Sequence, residues 1–281
     1  MLGRVLRLLG LLVAGVFGLS TVTLGQADTA GLSPGGLSQG GLSQGGLSQG
    51  GLSQGGLSQG GLSPGGPASA GLSPVDVALD PGHSRADVGA SGGGLREYEV
   101  SLDLAQRARE RLEAAGLSVR LTRQDVLPLT ALTEPGSTAQ TAAEQQARIA
   151  AGGPARVYVS LHLNGGPVSL RGTETYYNPA RAPEASTADW ALAYAIQRHV
   201  VASLAAVGYP TLDRGVRNDL LAGKPYGHFF SLRGPEPSAL LEALFLSNPT
   251  EAALLRADDT RDAIAEGVTQ GVLEYLAVAD N

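Results

Sequence analysis

Cysteine is missing from the 281-residue chain. Its absence removes disulfides, thiolate metal sites and cysteine nucleophiles in one step, together with the attachment residue that a lipoprotein needs. Positive charge is scarce as well: the formal net charge is −6 and the isoelectric point about 5.2. There is no basic stripe of the kind that grips nucleic acid regardless of sequence, so nucleic acid is not an expected partner. Nor is there a block of like charge to hold a membrane surface. Long hydrophobic runs are lacking too. The best, Leu8 to Leu19, is short and interrupted by Gly10, Gly15 and Gly18, a poor match to a hydrocarbon core ~30 Å thick.

That run instead has the layout of an export signal over residues 1–30. Arg4 and Arg7 supply a positive start, the apolar stretch follows, and small residues near Ala27 and Ala30 suit cleavage. An uncleaved anchor is the alternative; with cleavage, no lasting membrane contact is expected. Residues 31–74 follow as a linker. Most of it repeats the pentad Gly-Leu-Ser-Gln-Gly, with Pro34 and Pro64 in the first and last copies. Each unit offers one apolar side chain against two glycines, whose ordering costs more backbone entropy than that of any other residue. A flexible tether is expected rather than a folded module.

From residue 75 to 281 the patterning changes. Val75, Val77 and Leu79 alternate with Asp76, Ala78 and Asp80, which is strand periodicity. A helix is expected from Glu97 to near Gly116, with Val100, Leu104, Ala108 and Leu112 on one face. Strands follow at 118–123, 156–164 and 172–178, a short one at 227–232 and a stronger one at 238–246. Further helices are expected near 141–151, 187–207 and 259–276. The stretch from Asp125 to Arg148, rich in Thr, Ala, Pro and Gly, has the composition of a surface insertion. Alternating strands and helices predict a single α/β domain, its mostly parallel or mixed sheet flanked by helices on both faces. Roughly 205 residues suffice for one such core.

The chain has four histidines. His83 follows directly on the first strand, and His162 lies near the end of the strand at 156–164, where Tyr158, Ser160 and Asn164 share its face. In open α/β sheets ligands bind beyond the carboxyl ends of strands, and both histidines fall there. Glu242 stands inside an apolar strand, where a carboxylate is either paired with an arginine, turned to solvent or tuned for proton transfer. Glu97, after Gly92, Gly93 and Gly94, opens the first helix, where the helix dipole alone favours an acid. Two histidines and a glutamate form a known catalytic zinc set with one position left open. Glu99 competes with Glu97 for that place.

Four blocks, in order, carry a resemblance: VALDPGHSRADVGA, LREYEVSLDLA with GLSVRLTR, VYVSLHLN, and ALLEALFLSNPTEAALL. With them the region from Val75 onward resembles the zinc-dependent N-acetylmuramoyl-L-alanine amidases of the AmiC/CwlV type, the amidase_3 family. The resemblance implies a phosphorylase/hydrolase-like α/β fold and one Zn2+ ion held by His83, Glu97 and His162. It also implies Glu242 as the catalytic acid/base, peptidoglycan as partner, and a periplasmic or cell-wall-associated, extracellular location. An activator protein is possible. A zinc peptidase acting within the stem peptide, or a wall-binding domain without catalysis, are the competing readings. Asp80 and Asn164 are candidates for orienting ligands or touching substrate. His228 is placed within reach of the cleft and His199 on a helix surface. Ser84 and Arg85 stand where the family has glycines, and Leu244 where it has another. These departures are expected to alter the cleft floor or the substrate preference. The short span from Tyr177 to Trp190 leaves little room for the occluding helix of some regulated relatives.

Overall fold

The computed structural model describes residues 71–134 and 136–280; the signal and most of the linker expected over 1–74 lie outside them. In chain order the elements are β1 (Val75–Pro81), β2 (Ser91–Gly92), β3 (Leu95–Arg96), α1 (Glu97–Ala114), β4 (Val119–Leu121), α2 (Thr138–Gly152) and β5 (Ala155–Asn164). Then come β6 (Thr173–Tyr177), α3 (Pro183–Ala206), β7 (Asp213–Asn218), two single 3-10 turns (Asp219–Ala222 and Phe230–Leu232), β8 (Ser238–Phe245), α4 (Pro249–Leu254) and α5 (Asp258–Ala279).

Six strands form one sheet in the order β4-β1-β5-β8-β6-β7. The first four run parallel; β6 is antiparallel to β8, and β7 is parallel to β6. Alternation along the strands divides the two faces. Val77, Leu79, Val157, Val159, Leu161 and Leu241 enter the main core, which is completed by side chains of α1, α3 and α5. Gly267 and Gly271 let α5 lie close against α3: a Cβ at either would fall 2.5–2.6 Å from the Cα of Val200 or Ile196. The opposite face carries Ala78, Tyr158 and Leu240 under α2 and the second 3-10 turn. Its polar members, Asp80, Ser160, His162 and Glu242, sit side by side in register on β1, β5 and β8. One face thus holds most of the apolar burial and the other the ionisable groups.

Two expectations need correction, and one strand was not foreseen. Residues 227–232 are not a strand; Phe230–Leu232 is a 3-10 turn. Strand β7 was not expected, because Asp213–Asn218 is a half-buried edge strand with two arginines and a glycine and no apolar alternation. The segment 125–148 is not simply a surface insertion. Its first part is largely exposed, but Glu144 and Arg148 on α2 are buried against the sheet. No helix of the described residues is long and apolar enough to cross a membrane.

Candidate metal centre and active site

The loop after β1 places His83. Asp80-Pro81-Gly82 continues the strand, and the Gly82 N–H still donates to Leu161 O at 2.8 Å. His83 then takes a left-handed conformation, φ 60°, which costs a non-glycine residue about 1 kcal/mol or more and persists only where surroundings enforce it. Two buried arginines enforce it here. Arg148 donates to the carbonyls of Pro81 and His83. Arg123 donates to Pro81 O at 3.0 Å and Gly82 O at 2.9 Å. The turn closes through Ser84 and Asp87, whose backbones exchange hydrogen bonds. This brings Asp87 Oδ2 to 3.0 Å from His83 Nδ1. In the tautomer that donates from Nδ1, the lone pair of Nε2 faces the cluster, an arrangement that fixes a ligating histidine.

Glu97 arrives from the other side. The short β2–β3 ribbon ends at the first residue of α1, where the helix dipole favours its negative charge. Its Oε2 accepts from Ala90 N–H at 2.6 Å and its Oε1 from Leu163 N–H at 3.0 Å. Oε1 also lies 2.9 Å from His162 Nδ1 and 3.4 Å from His83 Nε2. Burial opposes ionisation of Glu97, but the two histidines and the amide donors outweigh it, and its pKa is lowered. The histidine rings meet edge to face, centroids 5.0 Å apart. One donor atom from each of His83, Glu97 and His162 lies within 4.8 Å of the others, a two-histidine, one-carboxylate set capable of holding a metal ion. Glu99 is exposed and occupied with Tyr98 OH at 2.9 Å and Arg96 at 3.6 Å, outside the set.

Glu242 stands beside His162 in the β5–β8 register and opposite Glu174 in the β6–β8 register. Its Oε2 is shut off from solvent with no hydrogen-bond partner. Burial, and then the negative charge of Glu97, push its pKa well above the usual carboxylate range. Glu174 differs in being served by Asn164 at 2.9 Å and by Arg214 and Arg217, each at 2.9 Å. Burial disfavours its ionisation, but these donors hold its pKa low. A cavity of about 490 Å³ opens over Glu97, His83, His162 and Glu242, and Asn164 lines it too.

This geometry coincides with a family. Residues 77–274 match Amidase_3, described as N-acetylmuramoyl-L-alanine amidase. The chain belongs to that family. This amidase is an enzyme that hydrolyses the amide bond between N-acetylmuramic acid and L-alanine of peptidoglycan. It is 31% identical over 214 residues to the germination-specific N-acetylmuramoyl-L-alanine amidase of Bacillus subtilis, covering 75% of this chain and 83% of that one. Its fold matches the catalytic domain of CwlV from Bacillus (Paenibacillus) polymyxa with a TM-score of 0.57 at 30% identity, over 72% and 98% of the two chains. The CwlD amidase of Clostridioides difficile, solved in complex with the GerS lipoprotein, matches with a TM-score of 0.57 at 26% identity, over 73% and 99%.

Other expectations for the amidase come out unevenly. Asp80 lies one layer beneath the cluster, fully buried, accepting from Thr122 Oγ1 at 2.6 Å and Ser160 Oγ at 2.7 Å. His228 does not line the cavity; its Nδ1 is 2.6 Å from Asp219 Oδ1. His199 is half-buried, its Nε2 2.7 Å from Glu274. Arg85 and Leu244 do not line the cavity either, and Ser84 lines only a small recess that shares His83 and Asp87 with the main cavity. Leu244 enters the main core past an irregularity in the β5–β8 pairing, which turns it away from the face that Glu242 uses. Sequence reasoning missed Asp87, Arg123 and Arg148. Asp87 had a signal, four residues after His83, and Arg148 a similar one, four residues after Glu144. Neither arginine had a signal for its role here, because the carbonyls of Pro81, Gly82 and His83 are distant in the chain.

Proposed function

We propose that the amidase acts through a single Zn2+ held by His83, Glu97 and His162, with Glu242 as the acid/base. Three features fit the residues to such an ion. The donor set is that of a catalytic zinc site with an open position. Gly82 and Gly89 leave space that a Cβ would fill, 2.4 Å from the His162 ring and 2.4 Å from Glu97 Oε2 respectively. The unpartnered Glu242 Oε2 is the observation that carries the proposal, since an unsatisfied buried carboxylate oxygen is costly unless it has work to do.

Zinc held there by His83, Glu97 and His162 would supply Lewis acidity, would lower the pKa of a water from ~15.7 toward ~7, and would offset the Glu97 charge that Glu242 feels. Glu242, which lines the cavity, accepts the proton from the attacking water and returns it to the departing alanine nitrogen. Asp87 holds the His83 ring, and Leu163 N–H and Ala90 N–H hold Glu97. The export signal and linker would deliver this chemistry to the periplasm or wall, where peptidoglycan lies, without lasting membrane contact once the signal is cleaved.

The test is Glu242→Gln on dye-labelled sacculi, with zinc content measured in parallel. Loss of a positioned proton carrier is expected to lower turnover about 10²–10⁴-fold while zinc stays bound. Unchanged dye release with zinc retained would refute the role of Glu242. Chelator should abolish release by the parent enzyme, and zinc should restore it. The same assay with purified enzyme alone settles whether an activator is required.

A further inference from the structure

Between β7 and β8 the chain forms a strap, residues 219–232, that walls one side of the cavity. Fully buried Asp219 anchors it, accepting from Phe229 N–H at 2.9 Å and pairing with His228 at 2.6 Å. Asn218 Oδ1 caps its first turn through Leu220 N–H at 2.9 Å, and Gly223 ends that turn at φ 65°. The next residue is Lys224, the chain's one lysine. It is exposed at the cavity wall and is the sole lysine or arginine among the residues lining that cavity. Its ammonium lies 5.6 Å from the centre of the Phe229 ring. No carboxylate of the described residues lies within 4.0 Å of it. The same cavity is lined by Asp87, Glu97 and Glu242, and the Lys224 charge reaches Glu242.

That asymmetry needs an occupant. On the leaving side of the scissile amide, peptidoglycan is an anion: the residue after L-alanine is a D-glutamate joined through its side chain, so its α-carboxylate is free. Among the residues lining the cavity Lys224 is the one lysine or arginine, and from its anchored strap it attracts that group. We propose that Lys224 is the recognition site for the free α-carboxylate of the second stem residue, and so sets the direction in which the stem peptide lies in the cavity. The inference rests on the cavity being the amidase site. The carboxylate of the third residue has the same chemistry. The second is favoured because it is one residue from the bond that is cut.

The test uses zinc-loaded enzyme and three soluble muramoyl tripeptides: one with both stem carboxylates free, one amidated at the second residue, one amidated at the third. A charge-assisted hydrogen bond at an exposed lysine is expected to favour the free form about 10-fold in kcat/KM at low salt, mostly through KM, and less as salt screens it. Amidation at the second residue should remove this advantage; amidation at the third should not. K224Q should slow the free form about 10-fold and erase the preference, and K224R should restore it. Equal slowing of the free and second-residue-amidated forms by K224Q, no preference in the parent enzyme, or a preference that follows the third residue would each overturn the assignment. Cleavage of all three forms without discrimination leaves the amidase site standing and sinks only Lys224. Failure to release an alanine-headed peptide from any form sinks both.

Discussion

Glycine does at this site what no side chain can. Gly89 has φ +71°, and a Cβ there would stand 2.4 Å from Glu97 Oε2 and 2.6 Å from His83 Cδ2. Two metal-capable side chains would have to move at once. Gly89→Ala is therefore expected to weaken zinc binding about 10–100-fold, the range typical when a group supporting a ligand is changed, as read by competition with a metallochromic indicator. Gly94 is the control, with φ +81° and nothing within 4 Å of a Cβ. Gly94→Ala should cost only the local backbone strain, roughly 1 kcal/mol, and leave zinc affinity unchanged. Equal affinity for Gly89→Ala would show that the ligands adapt freely. At this scale the sequence was legible for the histidines and for Glu242, because strand ends and a charge in an apolar run are one-dimensional signals. The closeness of Gly89 to Glu97 is not, since both lie in a loop-to-helix passage whose folding back on His83 only tertiary structure specifies.

At the scale of elements, α2 lies where a helix was expected, but its burial was missed for a physical reason. Seven of its fifteen residues are polar and six are alanine, the composition of a solvated helix, yet Arg148 is 1% exposed and Asp80, its partner on β1, 0%. Arg148 lies 3.3 Å from Asp80 Oδ1 and 3.0 Å from Glu144 Oε1. The charges compensate one another, so hydropathy sees a surface where there is an interior. Arg123 carries the mark of that interior: burial, and then the charge of Arg148, bring its pKa down to about 10. Removing one partner from such a pair leaves an uncompensated buried charge, at about 3–5 kcal/mol. Arg148→Met should lower the urea midpoint accordingly, and adding Asp80→Asn should recover part of the loss. The pair also predicts a pH effect. Burial opposes ionisation of Asp80, but Arg148 and the hydroxyls of Thr122 and Ser160 prevail and lower its pKa. Its contribution is thus fully present above the unfolded value near ~3.9 and is lost as pH falls through the lower folded value. Urea midpoints measured between pH 5 and pH 2 should fall less steeply below pH ~4 in Asp80→Asn than in the parent. Parallel slopes would mean that Asp80 is not ionised in the folded enzyme. Strand β7 was hidden for a related reason: Arg214 and Arg217 are half-buried against Glu174, and an ion-paired edge strand lacks the alternation that marks its neighbours.

Across the whole molecule the sheet separates two tasks. The face under α1, α3 and α5 carries the main apolar core, interrupted by the buried Thr175–Gln197 contact, while the face under α2 and the strap holds Asp80, His162 and Glu242 in adjacent strands. Stability should then be adjustable from the first face without touching the chemistry on the second. Gly267→Ala tests this. Its Cβ would meet the backbone of Val200 at 2.5 Å, so α3 and α5 must separate. Overpacking of this kind costs roughly 1–3 kcal/mol, against ~1 kcal/mol returned by better helix propensity. Backbone cannot swing aside as a side chain would, so the net sign is destabilising. Gly267→Ala should lower the urea midpoint while kcat, KM and zinc affinity at 25 °C stay at parental values. Arg148→Met, whose side chain reaches the His83 carbonyl, should lower stability and zinc affinity together. A fall in zinc affinity in Gly267→Ala matching that of Arg148→Met would mean that the sheet transmits strain between its faces and that the two tasks are not separable.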